Sequence, residues 1–203
     1  MLPQSFFDQD AIKLAKALLG KIIRRRIHGV WLSMRIIETE AYYLVDKASH
    51  ASLGFTEKRK ALFMPAGTIY MYYAHGKASM NVSAQGAGNA VLIKSCFAHF
   101  DKKSPNDTQN IMQQWHAKKR STQKLGNGQT IMCRSLQLTV PQWDQKTFDK
   151  KIFYIEDQNL KPQNIIIAKR LGIPLGRDEH LPYRFIDEEF NRFCTKPVNF
   201  TKL

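Results

Sequence analysis

The chain has 203 residues, 43% of them hydrophobic, a length and composition that suit one domain, residues 1–203, with a sizeable core. Lys and Arg total 31 against 17 Asp and Glu, a formal charge of +14. That surplus asks for an anionic partner, with nucleic acid ahead of a membrane surface because no long basic amphipathic helix is present.

The N-terminus, MLPQSFFDQD, lacks the basic flank and apolar core of a signal peptide. No apolar stretch reaches membrane length, so no membrane partner is expected. Asp8 can cap a helix through AIKLAKALLG, where Ile12, Ala15, Leu18 and Leu19 recur at helical spacing and Gly20 suits the end. KIIRRR and VWLSMRIIE flank Ile27-His28-Gly29 and predict a β-hairpin. If its second strand runs to Glu40, Glu38 and Glu40 share a face. Residues 44 to 63, with the run Lys58-Arg59-Lys60, read as a surface loop. Thr68 to Tyr73 is a β-rich aromatic run, broken at His75-Gly76 before Ala78 to Ser83. Ala90 to Ile93 is a buried-type strand ending at Lys94. From His99 to Lys124 the chain turns polar, with a helix expected within 107 to 117, and Asn127 can cap another through Gln129 to Leu136. Short strands follow at Ile152 to Ile155, Asn164 to Ala168 and Tyr183 to Ile186. The whole predicts one α+β domain.

Three residue patterns carry chemistry. Glu38 and Glu40 can serve as a general base or pair with nearby cations, and the residues alone leave both readings open. Tyr42, Tyr70, Tyr72 and Tyr73, close in sequence to His50 and His75, suit a flat ligand or an ordinary core. The histidines lack HExxH spacing. Cys96, Cys133 and Cys194 are odd in number without CxxC spacing, which argues against a disulfide framework or a metal and fits a reducing compartment.

Several blocks resemble the alkyladenine (3-methyladenine) DNA glycosylases. They are Leu14 to Gly20, Arg35-Ile36-Ile37-Glu38-Thr39-Glu40-Ala41-Tyr42, Met64-Pro65-Ala66-Gly67-Thr68-Ile69-Tyr70-Met71-Tyr72 and Met80-Asn81-Val82-Ser83. Leu125-Gly126-Asn127-Gly128 and Arg170-Leu171-Gly172-Ile173 continue the likeness, which spans roughly residues 10 to 186. The resemblance implies a curved antiparallel sheet with flanking helices. It implies excision of alkylated or deaminated purines from double-stranded DNA, initiating base excision repair, with no metal, cofactor or covalent lysine intermediate. By position, Glu40 would activate water, Tyr42 and Tyr72 would sandwich the extruded base, and His50 would contact its edge. Asn81 would close the pocket floor and reject the guanine amino group.

Two positions depart from the family pattern. His75 stands where a tyrosine wedge is usual, and Lys94 stands where an arginine is expected, keeping the charge for a phosphate but not the planar fork. Both are expected to touch DNA. They also keep open an alternative, a non-catalytic nucleic-acid-binding module that retains the base pocket. The resemblance further implies a monomer, and the compact length points to a bacterial cytoplasm, associated with the nucleoid, with a nucleus as the eukaryotic counterpart.

Overall fold

The computed structural model describes residues 1–199. Eight strands form one antiparallel sheet: β1 Ile22–Ile27, β2 Val30–Tyr42, β3 Ile69–Ala74, β4 Lys77–Ser83, β5 Ala90–Ala98, β6 Phe153–Glu156, β7 Ile165–Ala168 and β8 Arg184–Asp187. Five short helices flank it: α1 Gln4–Phe7, α2 Ala11–Leu18, α3 Thr108–Gln113, α4 Gln129–Ser135 and α5 Val140–Trp143. The expected α+β class, with a curled antiparallel sheet, is what the chain adopts.

The strand order is β3-β4-β5-β2-β1-β6, and β8 joins β2 and β7. β2 is the spine because it runs for 13 residues. One edge pairs with β5; the other pairs first with β1 and then, from Glu38, with β8. Both β1–β2 and β3–β4 are closed by two-residue turns whose residues have positive φ: His28 (46°) with Gly29 (84°), and His75 (49°) with Gly76 (72°). Such turns match the twist of paired strands.

The pairing of β2 with β5 slips between Ile36 and Thr39, the mark of a β-bulge. Before it, Leu32, Met34 and Ile36 sink into the main core; beyond it, Ala41 does, and the Thr39 hydroxyl donates to Ala15 O of α2. Glu38, Glu40 and Tyr42 therefore emerge together on the opposite face. They share a face as expected, yet each glutamate has its own cation: Glu38 accepts from Arg184 Nε at 2.6 Å and Glu40 lies 3.3 Å from Lys94 Nζ.

Several local expectations need correction. The cap of α2 is Asp10, not Asp8, because its carboxylate reaches the N–H groups of Ile12 and Lys13. Gly128 precedes α4 in the cap position; Asn127 instead donates to Phe193 O and Cys194 O, tying the C-terminal segment down. Residues 44 to 63 are not simply a surface loop. They contain 3-10 helices His50–Leu53 and Glu57–Phe63, and Asp46, Ala51, Ala61 and Leu62 are buried. All three cysteines are buried and free.

Candidate active site

Sheet register builds the site. Directly opposed residues point to the same face of an antiparallel sheet. Glu40 on β2 faces Leu92 on β5, Leu92 faces Asn81 on β4, and Asn81 faces Tyr70 on β3. Two residues along, Lys94 and Tyr72 project from the same side. The next rung in the other direction carries Tyr42 opposite Ala90. Four strands thus present Glu40, Tyr42, Tyr70, Tyr72, Asn81 and Lys94 on one face.

Above this face lies a cavity of about 570 Å³, lined by Tyr42, His50, Tyr70, Tyr72, Asn81 and Lys94, with His75, Arg177 and residues 171–174 also on its wall. This volume suits a small flat ligand. Glu40 is fully buried behind the wall. Its Oε2 accepts from the Tyr42 hydroxyl at 2.7 Å, and its Oε1 accepts from the Leu171 N–H at 3.1 Å and faces the Lys94 ammonium. Taking a carboxylate out of water is costly unless it is paired and hydrogen-bonded, and these three groups meet that demand.

Tyr42 holds its phenol proton firmly, since burial and then the neighbouring Glu40 charge push its pKa well above the usual value. One face of its ring carries the Arg170 guanidinium at 4.5 Å. Arg170 is itself buried, donating to both Asp46 oxygens and to Ala41 O at 3.1 Å. Tyr70 and Tyr72 stack at 5.6 Å and 23°. His50 meets the Tyr72 ring edge-on at 4.4 Å, and its Nδ1 lies 2.9 Å from the Tyr70 hydroxyl. Burial, helped by Arg59 and Arg177, lowers the His50 pKa below the ordinary 6.5, so the ring is neutral near pH 7. The tautomer in which Nδ1 accepts from Tyr70 carries the ring proton on Nε2.

Asn81 lies almost buried in the cavity wall and donates to Tyr70 O at 3.4 Å. Lys94 does not stand on an open face where a phosphate contact would put it; its side chain is largely buried against Glu40. His75 occupies the exposed tip of the β3–β4 turn at the cavity rim, beside Tyr73, which is 58% exposed. Among the described residues, no group of three or more His, Cys, Asp or Glu is placed to hold a metal ion.

Some participants have no sequence signature of their own. Tyr70 stood in the aromatic run, and strand alternation sets it with Tyr72, on the face opposite Tyr73. The Leu171 N–H sits 131 residues from Glu40 in sequence, with Arg170 beside it. Their only signal is the Arg170-Leu171-Gly172-Ile173 block, which names no partner.

Comparison with known sequences gives one consistent result. A family profile described as methylpurine-DNA glycosylase matches residues 5–190. A Pseudomonas aeruginosa protein, provisionally named a 3-methyladenine DNA glycosylase, is 52% identical over 199 residues, covering 96% of this chain and 83% of its own. A Pseudomonas fluorescens protein of the same name is 54% identical over 199 residues, with coverage of 96% and 86%. A Clostridium beijerinckii protein, again so named, is 34% identical over 207 residues, with coverage of 97% and 99%.

Proposed function

The chain belongs to the methylpurine-DNA glycosylase family, and on that premise we propose that it extrudes a damaged purine from duplex DNA and hydrolyses its N-glycosidic bond with a water activated by Glu40. It is a DNA-repair enzyme, so the non-catalytic module is set aside. The observation that carries the mechanistic reading is the buried Glu40 carboxylate, held by Tyr42, Leu171 and Lys94 at the back of an aromatic cavity.

A glycosidic carbon within a stacked duplex is out of reach, so the nucleotide must leave the stack first. The extruded base enters between the Tyr42 side and the Tyr72 side of the cavity. Electron-rich rings favour a base made cationic by alkylation. The neutral His50 adds no opposing charge and offers Nε2–H to the base edge. Asn81 meets the base from the sheet and disfavours an extra amino group.

The bond from C1′ to the purine nitrogen breaks, and its electron pair goes to the purine. An alkylated purine leaves neutral. The sugar is left with oxocarbenium character, and the water oxygen bonds to C1′. Its proton passes to Glu40, and the products are a free purine and an abasic site. Lys94 balances the buried Glu40 charge. Deaminated purines are neutral and need a proton as they leave. No carboxylic acid lines the cavity to supply one, so they are the slower class.

Action as a monomer is part of the proposal. The place proposed for it is the bacterial cytoplasm, at the nucleoid. The test is base release from methylated duplex DNA under single-turnover conditions. Glu40→Gln should slow release roughly a hundred- to ten-thousand-fold, the usual worth of a general base, while duplex binding persists. Release by the variant at the wild-type rate would remove Glu40 from the mechanism.

A further inference from the structure

Two projecting loops form part of the cavity rim. One is the turn carrying His75. The other is the segment 170–178, from which Leu171, Ile173, Pro174 and Arg177 face the cavity. Between them in that segment, Leu175 is 90% exposed, the most exposed large apolar side chain among the described residues.

This leucine is held in place. Arg170 is anchored on Asp46 and Ala41. Past the leucine, Arg177 Nε donates to Lys47 O at 2.9 Å, and Asp178 accepts from the Lys47 N–H at 2.8 Å. Within the loop, the Arg177 N–H donates to Pro174 O and the Gly176 N–H to Glu179. Gly172 (φ 72°) and Gly176 (φ 76°) supply the left-handed backbone that lets the loop turn at both ends. The segment it is tied to carries Val45, itself 88% exposed. A braced loop therefore presents an apolar tip to water, next to an arginine and next to the cavity that takes the base.

We propose that Leu175 enters the duplex as an apolar wedge at the cavity rim, acting with His75 to keep the extruded nucleotide from restacking. This rests on the reading that the substrate is a nucleotide taken out of duplex DNA. Extrusion opens a gap in the base stack, and aliphatic side chains such as leucine fill such gaps from the minor groove. The imidazole of His75 is a small, polar filler for it. Leu175 brings the apolar surface that His75 lacks and gains by leaving water. Arg177, two residues on, adds a positive charge at the same rim.

The test uses the intact protein, a duplex bearing a stable abasic analogue with 2-aminopurine opposite, and the undamaged duplex. The wild type should bind the abasic duplex preferentially and raise the 2-aminopurine fluorescence by unstacking it. Leu175→Ala should weaken binding to the abasic duplex about tenfold and lose most of the fluorescence rise. Its binding to undamaged duplex and the salt dependence of that binding should not change. Leu175→Met should restore both signals. Wild-type binding and fluorescence in Leu175→Ala would overturn the proposal, and so would an equal loss on both duplexes. Because this assay involves no bond cleavage, failure of the wild type to release any methylated purine would count against the mechanism above and leave the wedge result readable.

Discussion

At the scale of single residues, the site consists of groups that restrain one another. Tyr42 is both a wall of the cavity and a hydrogen-bond donor to Glu40, and Arg170 covers its outer face. His50 is fixed by Tyr70 and kept neutral chiefly by burial. A neutral ring suits a cationic base, so acid should weaken the fit. The folded pKa lies below 6.5, so the favourable neutral form is fully present above that value and lost as pH falls through the lowered pKa. Release of a cationic methylpurine should therefore decline on the acid side, and His50→Asn should remove that contribution to the decline. A pH profile of both proteins checks this; identical acid limbs would exclude His50 as the titrating group. At this scale the sequence was readable by residue type: carboxylate, tyrosines, histidine and amide all line or back one cavity. What could not be read were the partners. Lys94 looks like a surface cation in the sequence, and only the pairing of β5 with β2 brings its ammonium to Glu40.

At the scale of elements, turns with glycine were legible and irregularities were not. His28-Gly29 and His75-Gly76 mark hairpins because a two-residue turn of this kind needs positive φ twice. The bulge in β2 has no such mark, since Ile36 to Thr39 contains neither glycine nor proline. The 3-10 helices within 44 to 63 were missed because they are too short to show a period. The tip of the β3–β4 turn carries the departure from the family pattern. His75→Tyr should tighten binding to damaged duplex, by enlarging the group that fills the vacated space; unchanged or weaker binding would show that size at the tip does not limit extrusion. Close packing makes a second prediction. A Cβ on Gly126 would lie 2.1 Å from Cys96 O, and this approach sets the segment leading into α4 against β5. Gly126→Ala should cost about 1–3 kcal/mol through overpacking, seen as a melting temperature lower by several degrees.

At the scale of the molecule, the net charge of +14 now has a substrate to answer to. Binding to duplex DNA should fall steeply with salt, with a log–log slope of about −5 if some six phosphates are contacted. A titration by fluorescence anisotropy measures it, and a shallow slope would mean that the surplus charge lies away from the DNA. The class and the sheet were legible because hairpins and alternating strands are local patterns. The strand order was not, because β2 pairs with β5 and β8, whose positions along the chain follow no local rule. That long-range closure has a consequence for the order of synthesis. Glu38 and Glu40 leave the ribosome early, yet the Arg184 that neutralises one and the Leu171 N–H that holds the other follow 146 and 131 residues later. Until those arrive, β2 lacks its β8 neighbour and the carboxylates lack half of their setting. A chain that stops short of Leu171 thus carries Glu40 without the N–H that holds it, and its β2 has no β8 neighbour.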